Sequence, residues 1–163
     1  MLRKSLLALA TAALFTGCSS SSDAVPFDVA NFTGSYSGTW TNTTFSSTGA
    51  ASVTITDSGG DPMVAVDLDG NVFGGADPAS ESFTGMANLN DATLASTTSP
   101  VYGDVVSTLN GNGTITITGT NIPGGVDTFT LVGTIVNGQI QANVTITFDA
   151  GGSAAAVATL NIT

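Results

Sequence analysis

Carboxylates are almost the only side chains of this sequence that could carry out acid–base chemistry. The chain of 163 residues has 12 Asp and Glu, no His, a single cysteine (Cys18) and two cations, Arg3 and Lys4. Without His the chain cannot form a Ser-His-Asp or Cys-His arrangement or a His-ligated zinc site. Its one lysine, Lys4, lies near the N-terminus ahead of the apolar run, so a lysine Schiff base is not expected. What remains is a pair of carboxylates, as in many glycoside hydrolases, with the two acids about 5–10 Å apart.

Acids near turns could instead bind calcium, a cation that prefers oxygen ligands. The stretch "DLDGN" places oxygen-bearing side chains at Asp67, Asp69 and Asn71. An EF-hand-like loop would also need an acid at position 65, which is alanine, and a late Glu, which is absent. A hairpin turn accounts for "DGN" without a metal. We therefore predict a turn over residues 69–71 and keep Asp67, Asp69 and Asn71 as a candidate calcium site, with calcium otherwise acting as a counter-ion.

Cys18 stands between an apolar run and four serines. Two cations are followed by "SLLALATAALF", a run of 11 residues that is too short to span a bilayer as a helix, and small residues then precede the cysteine. This order predicts a secretory signal peptide over residues 1–17. With the cysteine directly after Gly17, the segment resembles the bacterial lipobox.

The lipobox resemblance implies that Cys18 is acylated and that cleavage before it leaves a lipid-anchored protein. In lipoproteins a residue other than aspartate after the cysteine favours the outer membrane, and Ser19 fits this pattern. We therefore expect a cell-envelope protein whose membrane partner is reached through the lipid on Cys18. Residues 18–31 are predicted to be the lipidated cysteine and a flexible tether.

Charge limits the partners of the remaining chain. Without residues 1–17 it keeps all 12 acids and has no cation, which gives a formal charge of −12. We expect no nucleic-acid partner, because phosphate binding needs Lys or Arg. Residues 32–163 are long enough for a single domain with its own core, and no cofactor is predicted.

Apolar and hydroxyl side chains alternate along much of residues 32–163. In "FTGSYSGTW" the even positions carry Phe32, Tyr36 and Trp40 with glycines between them, and the odd positions carry Thr or Ser. Alternate side chains of a strand lie on opposite faces. The same period recurs in "SVTIT", "MVAVDLD", "TITIT", "DTFTLV", "QIQANVTITF" and "AAVATLNIT". These stretches predict β-strands, and the three aromatic residues predict a hydrophobic plug at one end of the domain.

Short turn signals such as "DSGGDP", "NGNG", "NIPGG" and "DAGG" separate the strands. They favour antiparallel hairpins over helical crossovers. We predict an all-β fold, an antiparallel up-and-down meander of roughly 8–10 strands that closes into a barrel, because closure removes unpaired edges. A β-sandwich and a transmembrane barrel are the alternatives. Residues 86–104 lack the period and predict a long loop or one short helix.

The "GTW" of the first strand resembles the opening strand of the calycins, the lipocalin- and avidin-type barrels. Asn42 and Ser46 fall where avidins place ligand-binding Asn and Ser, and "DTFT" resembles the avidin last strand, whose Asp, here Asp127, faces the ligand. The resemblance implies a barrel and makes Tyr36, Trp40, Asn42 and Ser46 candidate ligand-binding residues. A biotin site is not expected, because avidin sites are walled by several tryptophans and this chain has one.

Three functions are consistent with these patterns. The first is a non-enzymatic, lipid-anchored envelope protein that presents a small acidic barrel to a protein or glycan partner. The alternative is a carrier of a small apolar ligand inside the barrel. The third is a carboxylate hydrolase, which we do not expect, because acids scattered over turns are typical of a solvated surface. A hollow interior would favour the carrier, and a filled interior would oppose it.

Overall fold

The computed structural model of the protein describes residues 24–163, and these residues form an all-β structure. The predicted all-β fold is confirmed, with 11 strands in the described range rather than 8–10. Their bounds are β1 (Gly34–Asn42), β2 (Ser47–Ser58), β3 (Asp61–Leu68), β4 (Glu81–Thr84), β5 (Met86–Ala87), β6 (Asp91–Ser99), β7 (Gly103–Asn110), β8 (Thr114–Ile122), β9 (Val126–Val136), β10 (Gln139–Phe148) and β11 (Ser153–Ile162).

The strands form one antiparallel meander that rolls into a nearly closed barrel. Their order is β4-β3-β2-β1-β11-β10-β9-β8-β7-β6-β5, so the first strand pairs with the last. The two edge strands of the sheet, β4 and β5, meet at a seam where the barrel closes. Only Gly85 separates these two strands in the chain. The amide of Gly85 donates to the carbonyl oxygen of Pro62 in β3 at 2.8 Å. Because β4 pairs with β3 and β5 pairs with β6, this short stretch bridges the two ends of the sheet.

The predicted alternation sets the two faces of the wall. Tyr36 and Trp40, at even positions of β1, are each 2% exposed, whereas Ser37 and Thr39 are exposed. Across the pairs β1–β11 and β9–β10, the outward positions are mostly Thr, Ser, Asn and Gln. A transmembrane barrel shows the opposite arrangement, with an apolar band outside and polar residues inside. The outer face of this barrel therefore does not resemble one that meets lipid.

The prediction of a loop or helix for residues 86–104 is wrong. These residues form β5, β6 and the start of β7. The register of β6 against β7 shifts between Leu94 and Thr97, which marks a β-bulge. Ala92 and Leu94 are buried, but residues 95–98 are all exposed. The bulge interrupts the period of two, and this is why the sequence pattern concealed the strand.

The N-terminal residues close one end of the barrel, which we call the plugged end. A 3-10 turn spans Val29–Asn31, and the rings of Phe27 and Phe32 stack with their centroids 5.6 Å apart. The amide of Phe27 donates to the carbonyl oxygen of Leu89 at 2.9 Å. Phe27 also packs against the buried core. The last part of the predicted tether over residues 18–31 therefore lies against the barrel.

A loop over residues 69–80 lies at the opposite end, which we call the acidic end. The turn predicted at residues 69–71 is the start of this longer loop between β3 and β4. Val72 is buried, and Phe73 packs against both buried clusters of the core. Seven of the 11 described acids lie at this end, namely Asp67, Asp69, Asp77, Glu81, Asp104, Asp127 and Asp149.

Candidate functional site

The interior of the barrel is filled on one side and hollow on the other. Side chains of β1 and β11, among them Tyr36, Trp40 and Leu160, belong to one buried cluster. A second cluster includes Phe129 and Ile146. A cavity of about 140 Å³ is lined by members of both clusters, but neither β1 nor β11 contributes to its wall. The aromatic plug therefore fills only part of the interior.

The wall of the cavity is almost wholly apolar. Strand β3 lines it with Val64, Val66 and Leu68, and β10 lines it with Val144. The only hydroxyl-bearing lining residues are Thr93, Tyr102 and Ser107, and no carboxylate lines the cavity. This wall can hold an apolar molecule, but it offers no pair of acids for hydrolysis.

The size of the cavity is informative. Protein interiors contain few voids larger than a water molecule. An apolar cavity of about 150 Å³ stays dry and binds benzene or xenon. A cavity of 140 Å³ is therefore large enough for one ring-sized molecule.

Phe73 separates the cavity from the surface of the acidic end. Its side chain lines the cavity and also a surface depression of about 250 Å³. The depression is bordered by Pro100 and Pro123, which belong to the turns before β7 and β9. The ring of Phe73 contacts Phe129, with 5.9 Å between the centroids. The 69–80 loop thus supplies the side chain that lies between the two spaces.

Tyr102 is the one titratable residue among those that line the cavity. The residue is 4% exposed, and its hydroxyl is buried with no hydrogen-bond partner. Its ring lies edge-on to Phe73 and Phe129, with centroids 6.1 and 6.3 Å away. Its amide donates to Ser99 Oγ at 2.7 Å, which fixes the turn before β7. Burial, with smaller contributions from Glu81, Asp67 and Asp77, raises the pKa of Tyr102 to about 12.

The predicted ligand residues lie elsewhere. Tyr36, Trp40, Asn42 and Ser46 do not line the cavity. The Oδ1 atom of Asn42 accepts from the amides of Thr44 and Phe45 at 3.0 and 2.9 Å, so this buried side chain holds the turn between β1 and β2. Ser46 lies in the same turn and is exposed. Asn42 and Ser46 therefore lie at the same turn, and neither lines the cavity.

The resemblance of "DTFT" to an avidin strand does not extend to its geometry. Asp127 is exposed at the start of β9, while Val126 and Phe129 are buried. Asp127 therefore lies on the outside of the barrel, away from the cavity. A register shift against β10, beside Val126, moves Asp127 to the outside. Two more strands, β10 and β11, follow it in the chain.

The candidate calcium residues do not form a cluster with other acids. Asp67 is half-buried on β3, and Asp69 and Asn71 are exposed in the 69–80 loop. Within residues 24–163, no group of three or more Asp, Glu, His or Cys is placed to hold a metal ion. The carboxylate of Asp77 accepts from the amide of Gly70 at 2.6 Å and so stabilises the loop without a metal. Calcium binding by Asp67, Asp69 and Asn71 stays a prediction.

Asp104 shows how the acidic end is held together without cations. Its carboxylate accepts hydrogen bonds from Asn121 at 2.8 Å and from Thr98 at 2.7 Å. These bonds lower the pKa of Asp104, so the group stays ionised. The bonds join β6, β7 and β8 at the rim, which is a structural role.

Cys18 lies outside the described residues, so its lipidation and the signal peptide over residues 1–17 stay predictions. Within residues 24–163, no helix has the length and apolar character needed to cross a membrane. The first described residues lie at the plugged end, where the backbone of Val25 and Pro26 is close to Gly111.

Comparison of the chain with protein-family models, with curated proteins and with solved structures gives no match. The nearly closed antiparallel barrel is compatible with a calycin-like fold. The sequence patterns predicted the strands, but they did not predict which residues line the cavity. Tyr102 follows Pro100 in a stretch without alternation. The only sequence signal for a buried role of Tyr102 was a single aromatic residue beside a turn.

Proposed function

We propose that the protein is a non-enzymatic binding protein that takes up a small apolar molecule inside its barrel. The observation that carries this proposal is the cavity of about 140 Å³ with its apolar wall. Protein interiors contain few spaces larger than a water molecule, so an apolar space of this size is a candidate binding site. This is the calycin-like carrier among the functions that the sequence allows.

The chemistry of the chain supports binding rather than catalysis. No acid lines the cavity, and the chain after residue 17 has no Lys, Arg or His. A neutral apolar molecule needs none of these groups, because burial of its surface drives its uptake.

The lipobox resemblance gives the proposal a location. A lipid on Cys18 would anchor the barrel to the cell envelope through its plugged end, because the chain enters the barrel there. The acidic end, with Phe73 between the cavity and the surface depression, would then face away from the membrane. Cys18→Ser should move the protein from the membrane fraction to the soluble fraction. A mutant that stays with the membranes like wild type would contradict the anchor.

Calorimetric titration with benzene tests uptake directly. The Cys18→Ser chain is the suitable host, because lipid or detergent would compete for an apolar cavity. We expect saturable binding and a higher melting temperature, since a ligand at 100 times its Kd stabilises the folded state by about 2.7 kcal/mol. Absence of both effects, with benzene and with toluene, would contradict the proposal.

A pair of valine substitutions provides the matched control. Val144→Phe adds a ring to the cavity wall and should abolish benzene binding. Val132→Phe adds the same ring on β9, where the side chain is half-exposed and faces outward, and should leave binding unchanged. Equal effects of the two substitutions would mean that benzene does not occupy the cavity.

A second candidate, contact with an envelope glycan or protein, is favoured by the uncharged outer wall. Strands β8 to β11 and β1 contain a single acid, Asp127. Thr39 and Thr159 lie opposite each other on this wall, and both are exposed. If the wall binds envelope polysaccharide, Thr39→Asp with Thr159→Asp should reduce co-sedimentation with it. Ala95→Asp on exposed β6 should not.

A further inference from the structure

Exposed apolar side chains are spread unevenly over the barrel. Ten large hydrophobic residues of the described chain are exposed, and five of them lie at the plugged end, whereas only Phe45 lies at the acidic end. The five are Val25, Met86, Leu89, Val136 and Ile162. Seven of the 11 described acids lie at the opposite end. The two ends therefore differ in character, and the plugged end is the more apolar one.

The most exposed of these side chains share one corner of the plugged end. Leu89 is 79% exposed and Met86 is 67% exposed, the two largest values among the exposed hydrophobic residues. Leu89 lies in the turn between β5 and β6, and Met86 lies in β5 just before it. Val25, which is half-exposed, stands two residues before Phe27 in the segment that crosses this turn. We call Val25, Met86 and Leu89 the apolar corner.

Backbone hydrogen bonds hold the apolar corner in place. The amide of Phe27 donates to the carbonyl oxygen of Leu89, and the amide of Gly111 donates to that of Asn90, both at 2.9 Å. A Cβ at Gly111 would lie 2.3 Å from the carbonyl oxygen of Val25, so the N-terminal segment lies directly against the turn between β7 and β8. Three segments of the chain therefore meet beneath the corner. Exposed apolar surface of this kind marks a contact with lipid or with another protein.

The place where the described chain begins indicates what the apolar corner meets. The described chain begins at Ala24, beside the corner, and Cys18 lies six residues earlier in the sequence. A chain spans at most about 3.3–3.6 Å per residue, so Cys18 lies within about 20 Å of Ala24. A lipid on Cys18 would therefore keep the apolar corner within reach of the bilayer surface. The acidic end lies a full strand length farther away.

Charge selects the kind of lipid surface that suits the plugged end. The four remaining acids, Asp28, Asp57, Asp61 and Asp91, lie at this end, and no cation lies within residues 24–163. The carboxylate of Asp61 accepts from the amide of Ala87 at 2.7 Å, next to Met86. Acids repel the negative surface of anionic lipids. Zwitterionic headgroups, which carry no net charge, are therefore the better match.

We propose that the plugged end contacts a bilayer of zwitterionic lipid through the apolar corner, so that Val25, Met86 and Leu89 enter its interfacial region. This inference rests on the lipid anchor of the proposed function and adds the surface of the barrel that meets the membrane. Burial of these side chains stabilises one orientation of the anchored barrel, because exposed apolar area leaves water. The acidic end, with Phe73, then points toward the aqueous side.

A spin label beside the apolar corner measures this contact in the lipidated protein. Acylated Cys18 has no free thiol, so Asn90→Cys, at an exposed position next to Leu89, gives a single labelling site. In phosphatidylcholine vesicles we expect the label to be more accessible to molecular oxygen, which concentrates in the bilayer, than to a water-soluble nickel chelate. Ala150→Cys is the matched control, because Ala150 is exposed in a turn at the acidic end, and it should show the reverse.

Serine substitutions test whether the apolar side chains make the contact. Met86→Ser with Leu89→Ser should lower the ratio of oxygen to nickel accessibility at position 90, because serine has far less apolar area to bury. Val132→Ser with Val157→Ser is the matched control. It removes two exposed apolar side chains that flank Asn143 on the outer wall, and it should leave the ratio unchanged. Phosphatidylglycerol in the vesicles should lower the ratio at low salt, since anionic lipid repels the acids.

The outcomes separate lipid contact from lipid anchoring. Equal ratios at positions 90 and 150 in vesicle-bound protein would mean that the anchor holds the barrel away from the bilayer, and the inference would be wrong. An unchanged ratio after Met86→Ser with Leu89→Ser would also overturn it. A second copy seated on the apolar corner would broaden the spectrum by bringing two labels together, without oxygen accessibility, and would contradict lipid contact. A protein that carries no lipid and does not bind vesicles would overturn the anchor and this inference together, whereas benzene titration measures uptake into the cavity separately.

Discussion

The indole nitrogen of Trp40 donates a hydrogen bond of 2.9 Å to the main-chain carbonyl oxygen of Asp69. This bond ties β1 to the first residue of the loop that carries Val72 and Phe73. The indole is 2% exposed, which confirms the prediction that Trp40 is a buried packing residue. Gly49 leaves room for the contact, because a Cβ there would lie 2.6 Å from the indole nitrogen and 2.0 Å from the Asp69 oxygen.

Truncation of Trp40 should therefore be costly. We expect Trp40→Ala to lower the free energy of unfolding by about 3–5 kcal/mol, because a large buried side chain and its hydrogen bond are lost. Trp40→Phe keeps most of the packing and loses the bond, so it should cost less. Denaturant unfolding followed by circular dichroism measures both variants. A loss below 1 kcal/mol for Trp40→Ala would mean that the indole does not support the fold.

The two buried tyrosines should respond differently to loss of the hydroxyl. Tyr36→Phe removes a bond to the Phe32 carbonyl oxygen and should destabilise the protein by about 1 kcal/mol or more. Tyr102→Phe removes a hydroxyl without a partner and should be neutral or stabilising by up to about 1 kcal/mol. Guanidinium unfolding of the two variants measures the contrast. Equal losses would mean that the Tyr102 hydroxyl has a partner, such as a bound water.

Alkaline pH should weaken the fold through Tyr102. Below pH 10 the phenol is protonated in both the folded and the unfolded chain. The folded-state pKa is raised from 10.0 to about 12, so between these values the unfolded chain loses the proton first. Stability is therefore retained below pH 10 and falls as the pH rises toward 12.

Tyr102→Phe should remove this part of the pH dependence and shift alkaline unfolding to higher pH. The absorbance of tyrosinate reports the titration, and circular dichroism reports the fold. Ionisation of both tyrosines near pH 10 without unfolding would contradict the buried position of Tyr102.

Salt should stabilise the barrel. Seven of the 11 described acids share the acidic end, and no cation lies within residues 24–163. Their mutual repulsion disfavours the compact state, and salt screens it with a Debye length of about 8 Å at physiological strength. The melting temperature should therefore rise from low to moderate sodium chloride. A flat response would mean that the acids lie too far apart to interact.

The same melting temperatures should also be measured with millimolar calcium. A metal-free loop predicts no calcium effect that depends on Asp67 or Asp69 in particular. Asp67→Asn and Asp69→Asn should then respond to millimolar calcium as Asp127→Asn does, since Asp127 is an exposed acid at the same end. A large stabilisation by calcium that is lost only in the first two variants would establish a calcium site there.

Local patterns predicted much of the barrel wall, but not all of it. The strands β1, β10 and β11 keep a strict alternation over nine or ten residues, and their inward faces agree with the prediction. Strands β4 and β5 have only four and two residues, too few to show a period. Strand β7 was missed because Val105 and Val106 are adjacent, with one buried and the other exposed.

The cavity could not be predicted, because it depends on how side chains from distant strands meet. The aromatic residues of β1 are conspicuous in the sequence. They were predicted to plug one end of the barrel, and in the structure they pack along β1 on one side of the interior. The hollow side arises where short side chains such as Val64, Val144 and Ser107 face one another across the barrel. Their separations depend on the curvature of the sheet and on the seam at Gly85, which no local pattern encodes.

A crystal structure of the Cys18→Ser chain under xenon pressure tests the central claim, that the barrel holds a hollow apolar cavity able to take up a small molecule. Xenon occupies dry apolar cavities of about this size. We predict an anomalous xenon peak within about 4 Å of side-chain atoms of Val66 and Val144, and its absence in Val144→Phe. A barrel that takes up no xenon, or whose interior is filled at this place by its own side chains, would contradict the account.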